Sequence, residues 1–377
     1  MIVTPGVQKY EVVLQDKYFL RECIQKLSLE ERLDEIAYCA KMTLAVPGDQ
    51  FTGLPIIKPG MKIRVSGTRF GESRFTYLIE PGVVWDVEIA NKARRNWNLT
   101  VYDRLIYLAK SKDEYLWSEG QTATDRINKI CTDWKIPISN IPAIEQKLAA
   151  ATVRAKPIWG IIQDTLKETA SKSGRLFTVR MQPDGLEIFE LGTNKDVWIF
   201  EFGANLETVS QKQTLSGAVT KVKILGKASK GKRTPVSSTA TAKKKRKKTP
   251  EEKAAEKEAR AAASKTKKNE PSVVIDTMES ADVDELGTIQ EIYSDQKAID
   301  AGTASAKAAS MLTGIQETVK VEAIDINTIR KGDKVIVEGW ESGLYVMSVR
   351  HELGTPGKMQ MELSTLDYIR RKYYHER

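Results

Sequence analysis

No packed core can run through residues 227 to 270. The alternation of apolar and polar residues stops there, and sixteen Lys/Arg stand against five Asp/Glu, a local charge of +11. Its centre is six consecutive basic residues, Lys243, Lys244, Lys245, Arg246, Lys247 and Lys248. The whole chain carries only +9, so the rest is slightly acidic. The basic isoelectric point therefore belongs to this stretch and not to a folded surface, which weakens the usual inference from a basic pI to a nucleic-acid partner. Ala254, Ala255, Ala259 and Ala261 to Ala263 alternate with Glu and Lys, a pattern for a solvated helix that has no apolar face to pack. Folding is left to the longer part before the break and the shorter part after it.

The 377 residues suffice for two or three domains. Cys23, Cys39 and Cys131 are odd in number and without CxxC spacing, which speaks for thiols in a core and against a disulfide framework or zinc site. Residues 1 to 10 lack the basic start and apolar centre of a secretory leader, and no run approaches the ~18 apolar residues of a membrane span. A reducing cytoplasm is the expected place of folding.

From Lys9 to Tyr107 the pattern is that of strands. Tyr10, Val12 and Leu14 alternate with polar neighbours, and Ile36 to Val46 keeps a period of two up to Pro47-Gly48. Lys58-Pro59-Gly60 turns into the alternating run Met61 to Gly67, and Tyr77, Ile79, Val83, Trp85, Val87 and Ile89 continue the pattern around Pro81-Gly82. Many short strands with Pro-Gly turns and no long helix between them predict a barrel or a strongly curled sheet.

Helices are predicted over Thr124 to Trp134 and, from Pro157, over Ile158 to Ala170 with Gly174 as C-cap. Leu176 to Met181 and Leu186 to Phe189 flank Pro183-Asp184-Gly185, a hairpin signal. Strands follow at Val197 to Phe202, Ala218 to Leu225 and Leu286 to Ile292, then an alanine-rich helix within 296 to 313. The end reads as strands at Thr318 to Ile324, Lys334 to Val337, Leu344 to Val349 and Met359 to Leu363. KPGMKIRV (58–65) and RKGDKVIV (330–337) are alike: a basic residue, a glycine turn, an alternating strand. The turns at Pro59, Gly60 and at Gly332, Asp333 are expected to be equivalent positions of two similar domains. Trp85, Val87, Ile158, Ile162, Leu166, Val335, Val337 and Tyr345 are the expected core.

Chemistry is sparse. Neither His351 nor His375 has a partner at ligand spacing, and no nucleotide, metalloprotease or hydrolase motif occurs. His351 reads as a packing residue near a sheet edge. Asp184 with Glu187, and Asp325 with Asp333, are carboxylate pairs that a cell-wall glycosidase could use, but turns and strand ends are where solvated charge is ordinary. The Lys243 to Lys248 tract offers an electrostatic footprint for nucleic acid, yet no aromatic residue between 227 and 270 gives bases a stacking surface.

The stretches YLAKSKDEYLWSEG (107–120), ATDRINKICTDW (123–134), PIWGIIQDTLKETASKSG (157–174), LFTVRMQPDGLEIFEL (176–191), IRKGDKVIV (329–337) and GLYVMSVRH (343–351) together resemble the XkdQ-like (YqbQ-like) tail proteins of contractile phages and phage-like bacteriocins. The resemblance covers roughly 5 to 226 and 286 to 365; the basic insertion falls outside it. It implies a mainly β protein with an α+β middle: two barrel-like tube domains flanking a small helix–hairpin domain, with a long charged insertion. The expected parts are 1–117, 118–195, strands returning at 196–226, the insertion at 227–285, 286–366 and a basic tail at 367–377. The implied role is a non-enzymatic baseplate hub, a homotrimer adapting a sixfold tail tube to a threefold spike. It needs no cofactor or metal; its partners are tube, spike, tape-measure and other baseplate proteins. Such a protein assembles in the bacterial cytoplasm and ends at the baseplate of the particle. A tail-associated cell-wall hydrolase and a nucleic-acid binder acting through Lys243 to Lys248 are the alternatives.

Overall fold

The structure is a computed structural model, and it describes residues 9–45, 53–69, 72, 74–91, 96–226, 273–294, 301–340, 342–354 and 356–374. Two compact units emerge: residues 1–213 with 317–377, and residues 214–316.

The first unit begins with β1 (Tyr10–Leu14), β2 (Tyr18–Phe19), β3 (Ile24–Arg32), β4 (Cys39–Ala45), β5 (Lys62–Thr68), β6 (Phe75–Asn91) and β7 (Asn96–Asp103). A helix–hairpin module follows: α1 (Ile106–Lys110), β8 (Lys112–Trp117), α2 (Ala123–Asp133), β9 (Ile138–Asn140), β10 (Ala151–Pro157), α3 (Ile158–Ser173), β11 (Phe177–Gln182) and β12 (Gly185–Glu190). Then come β13 (Trp198–Phe200) and β14 (Leu206–Thr214). The second unit holds β15 (Lys221–Gly226), β16 (Val273–Glu279), α4 (Val283–Leu286), β17 (Gln290–Ser294) and α5 (Ala301–Met311). The first unit is completed by β18 (Gln316–Ile324), β19 (Lys334–Val337), β20 (Leu344–Glu352), β21 (Lys358–Ser364) and α6 (Leu366–Ile369).

Strands dominate, but the expected barrels are not there: among the described residues no sheet closes on itself. Thirteen strands share one sheet with the open path β14-β18-β21-β20-β3-β4-β7-β6-β5-β1-β2, and β13 and β19 branch from β20. The reason lies in how β20 is used. Its first residues pair with β19, while Ser348 to Glu352 pair with Arg32 to Ser28 of β3. β3, the end strand that would seal the first half, is spent on joining the halves, while the second half ends on β14 and β13, linked by the isolated bridge Phe202–Leu206. Alternation and turn chemistry identify strands but do not say which edges meet, least of all edges 300 residues apart.

Each half keeps its own core. Leu27, Leu29, Met42, Leu44, Val65 and Leu99 pack in one; Val321, Val335, Val337, Val346 and Met361 pack in the other. Val335 and Val337 are thus core residues as expected, and Ile158, Ile162 and Leu166 of α3 are buried in the module. Trp85, Val87 and Tyr345 are only half-buried. Val83 and Val84 are both buried because they face different cores, the module's and the sheet's; the register shift between Val84 and Asp86 then turns Val87 to the side of Val84, and Ile89 is exposed. One extra residue in a strand reverses the side on which every later residue lies.

In the module, Thr122 and Asp125 form a reciprocal capping box at the start of α2, a satisfaction of two otherwise orphan donors. Gly174 takes a left-handed φ of 73° after α3, the conformation that ends a helix most cheaply with glycine. The tyrosine-rich end of the chain is helical. Tyr374 donates its hydroxyl proton to the Phe177 carbonyl at 2.7 Å and Arg370 donates to the Gly174 carbonyl at 2.9 Å, which fastens α6 and its extension to the module.

In the second unit β15 lies between antiparallel β16 and parallel β17, and Ala304 and Ala308 of α5 pack on Val222 and Ile224. Small side chains let the helix approach the sheet closely. Gly226 and Val273 are paired neighbours, so residues 227–272 connect the end of the central strand β15 to the start of β16. Lys243 to Lys248 lie outside the described residues.

Candidate functional site

The most heavily charged part of the interior is the turn Arg330-Lys331-Gly332-Asp333 and what surrounds it. The turn closes with the Asp333 amide donating to the Arg330 carbonyl at 3.2 Å, and Gly332 has φ of +81°, as a turn with a left-handed third residue requires. An added Cβ at Gly332 would sit 3.3 Å from Thr178 Cγ2 and 3.4 Å from Leu191 Cγ, so both backbone and space call for glycine. The Asp333 carboxylate also accepts from the Arg330 amide at 2.8 Å.

Three parts of the chain converge on this turn. From β3 comes Glu31, 1 % exposed, whose two oxygens take Arg330 Nε at 2.6 Å and the Arg330 terminal nitrogen at 2.7 Å, a bidentate charge-assisted pair. From β11 comes Arg180, donating to the Lys331 carbonyl and, at 2.7 Å, to the Asp333 carboxylate. Its guanidinium also lies over the Phe189 ring. Lys331 itself is wholly buried. Its ammonium donates to the carbonyls of Glu35 at 2.6 Å and Ile36 at 3.3 Å, in the connection between β3 and β4. At the end of β7, the carboxylate of Asp103 accepts from the amides of Tyr38 and Leu105, each at 2.9 Å. The connection between β3 and β4 is further held by α3, where Trp159 Nε1 donates to the Asp34 carbonyl.

The electrostatics follow from burial and pairing. Burial alone would raise the Glu31 carboxyl, but the charge and hydrogen bonds of Arg330, helped by Lys331, bring it down to about 2. Burial pushes Asp103 up to about 7 against the pull of its two amide donors. It pushes Lys331 down to about 8 against the attraction of Glu31. Charges this deep persist only when paired and hydrogen-bonded, and removing one partner leaves the other uncompensated. The cluster therefore acts as an ionic joint between the first half of the sheet, the second half and the helix–hairpin module.

A second buried pair joins β20 to the residue just after β18. His351 and Asp325 are 2.6 Å apart, and the other ring nitrogen of His351 faces the Ile329 carbonyl at 3.0 Å. His351 does pack against satisfied partners, but on a strand between β21 and β3, not at a sheet edge. Asp325 and Asp333 are buried, not solvated. Glu187 accepts from Gln182 at 2.7 Å. A groove of about 420 Å³ crosses the charged face of β3, β18, β20 and β21. Of its lining residues Glu30 already pairs across strands, with Arg350 at 3.2 Å and with Lys41, outside the groove, at 2.7 Å. Among the described residues no group of His, Cys, Asp or Glu is arranged to hold a metal ion.

The other glycine turn has the same frame. Gly60 has φ of +89°, and the Met61 amide donates to the Lys58 carbonyl at 3.3 Å. In each turn the glycine amide donates to a valine carbonyl on the neighbouring strand, and that valine's amide donates back to the residue after the glycine: Val84 in one, Val346 in the other. Pro59 and Gly60 are exposed, whereas Gly332 and Asp333 are buried. Glu31, Tyr38, Asp103 and Arg180 were not legible as site residues. The available signal was Arg180 in the middle of an apolar strand, where a cation must have a partner.

A family model described as YQBQ-like matches residues 49–248. The Bacillus subtilis protein YqbQ is 26 % identical over 140 residues, 37 % of this chain and 43 % of that protein. The phage-like element PBSX protein XkdQ of the same organism is 27 % identical over 124 residues, 33 % of this chain and 38 % of that one. The matched stretch thus spans less than half the length of either relative. The 43 kDa tail protein of prophage MuSo2 from Shewanella oneidensis has a similar fold, with a TM-score of 0.64 at 12 % identity, over 96 % of this chain and 99 % of that one.

Proposed function

Because the chain belongs to the YqbQ-like family, we propose that it is a non-enzymatic structural subunit of a phage-type tail baseplate. In its finer form the reading is a hub: a homotrimer whose ring adapts a sixfold tail tube to a threefold spike. One observation carries the structural role. Among the described residues, the ionisable groups around the turn at 330–333 are engaged with one another across several parts of the chain, as a rigid part needs, and do not line an open cleft as a catalytic site does. The turn–strand backbone repeated at 58–65 and 330–337 fits a subunit built from two similar halves, although one turn is exposed and the other buried. Tube, spike and tape-measure proteins are the partners this reading calls for, with the particle's tail as its location.

Light scattering on the purified chain, with and without residues 227–270, tests it. The reading predicts the mass of three chains in both forms, and complexes with tube or spike proteins. A chain that stays single with those proteins present contradicts the hub. Peptidoglycan turnover lost on substituting one carboxylate would replace it with a hydrolase. Salt-dependent DNA binding abolished by deleting 227–270 would replace it with a nucleic-acid protein.

A further inference from the structure

His351 and Asp325 are sealed from solvent, at 0 % and 1 % exposure. Each nitrogen of the ring meets an oxygen: Nδ1 stands 2.6 Å from Asp325 Oδ1, and Nε2 stands 3.0 Å from the Ile329 carbonyl. An ionised carboxylate and a carbonyl only accept. A neutral imidazole has one N–H and serves one of them, whereas an imidazolium serves both. The geometry therefore asks for two ring protons. With one, a ring nitrogen turns its lone pair toward a buried acceptor, and an unmade hydrogen bond is costly at this depth.

What the ring holds gives those protons a consequence. Asp325 and Ile329 bound the first five residues of the connection between β18 and β19, which runs on directly into the turn Arg330-Lys331-Gly332-Asp333. Asn327, between them, donates to the Thr68 carbonyl at 2.8 Å. The charge in contact with the ring is that of Asp325. Leu29 of β3 and Met359 of β21, which stand beside His351 in register, carry none. Arg350 and Glu352, its neighbours on β20, take the other face by strand alternation. There they pair with each other at 3.3 Å, and Arg350 pairs with Glu30 at 3.2 Å. From the connection between β3 and β4, the Tyr38 hydroxyl is pushed up by burial and lies in the field of Arg330, Glu31, Asp325 and Asp103.

We propose that His351 is an acid-closed latch on this connection: with two ring protons it ties Asp325 to Ile329, and with one it releases an end, so that the turn at 330–333 loosens in its seat. Histidine is the side chain whose charge ordinarily changes between about pH 5 and 8. Protonation acts on a structure through an element that it biases between two arrangements. Here that element is the segment 325–333, which supplies Arg330, Lys331 and Asp333 to the ionic joint. The latch's share of the joint is present in acid and lost as pH rises.

The chain has two histidines, so isotope labelling of histidine in the full-length protein gives two ring spectra by NMR, and His375→Gln identifies that of His351. Followed from about pH 5 to 8, both ring nitrogens of His351 should carry protons in acid, and one should lose its proton as pH rises. The backbone amides of 329–333 should shift with the same midpoint. Asp103, which burial raises to about 7, is the other group whose titration could move them. The amide shifts should therefore persist in Asp103→Asn and disappear in His351→Gln, each verified as folded by circular dichroism. A ring that keeps one proton count across the range would overturn the latch, and so would amides that stay still while the ring titrates. Shifts that vanish in Asp103→Asn, or survive in a folded His351→Gln, would overturn it as well.

Discussion

The turns at 58–61 and 330–333 have one backbone and two environments. Both glycines are left-handed, both turns close between their first and fourth residues, and both bracket one valine of the adjacent strand with a reciprocal pair of hydrogen bonds. Yet Lys58, Pro59 and Gly60 face solvent, while Lys331, Gly332 and Asp333 are sealed beneath Glu31 and Arg180. Local chemistry fixes the shape of a turn. What packs over it decides whether the turn is a surface feature or the place where the molecule is held together.

The sharpest way to break this comparison is to remove charge from each side of it. Glu31→Gln leaves Arg330 and Lys331 buried without their carboxylate, and urea unfolding should show a loss of about 3–5 kcal/mol. Lys58→Ala at the exposed turn should stay within about 0.5 kcal/mol of wild type. Equal effects would mean that the buried cluster is no joint.

Acid should expose the same difference. The Glu31 carboxyl is held near 2 from an ordinary 4.5, so the folded chain binds this proton later than the unfolded one. The stability it contributes is complete above the ordinary carboxylate range and is lost as pH falls from there to about 2, about 3 kcal/mol in all. Asp103 has the opposite sign. Raised to about 7, it takes up its proton earlier in the folded chain, so the fold gains stability as pH falls from 7 into the ordinary carboxylate range. Urea midpoints against pH should flatten below pH 4.5 in Glu31→Gln, and Asp103→Asn should lose the gain on acidifying from 7.

Gly332→Ala and Gly60→Ala compare backbone with backbone. Each forces a Cβ into left-handed φ, at about 1–2 kcal/mol. Only at Gly332 does the new methyl also press on Thr178 and Leu191, and crowding of a packed site typically adds about 1–3 kcal/mol. Melting curves should separate the two variants in that order.

Much of the secondary structure could be read directly. The hairpin at Pro183-Asp184, α3 with its Gly174 cap, and the strands after residue 316 all follow from period, proline and glycine. β3 did not announce itself. In Ile24 to Arg32 the apolar residues stand among Gln, Lys, Ser and Glu, so the strand that joins both halves looks like surface. Its Glu31 passes for a solvated carboxylate until Arg330, nearly 300 residues away, is placed against it. The charged turn at 330 was visible as a turn, but burial depends on β11 and β3 lying over it, and no local pattern encodes that. The barrels failed for the same reason: strands are local, whereas the choice of pairing edge is not.

The smallest effect concerns the thiols. Burial raises Cys39 to about 12 and Cys131 to about 11, and the thiolate is the reactive form. Iodoacetamide should leave both unmodified in the native chain at pH 8 and label both in urea.

The claim that the ionic joint makes the helix–hairpin module and the sheet one rigid part is tested most directly by amide hydrogen exchange. The amides of β11 and β12 should be followed beside those of β3 and β20, in wild type and in Arg180→Ala. The account predicts that all four strands exchange together in the wild type, and that β11 and β12 exchange well before β3 and β20 once Arg180 is gone. Exchange in Arg180→Ala that still runs together at the wild-type rate would contradict it.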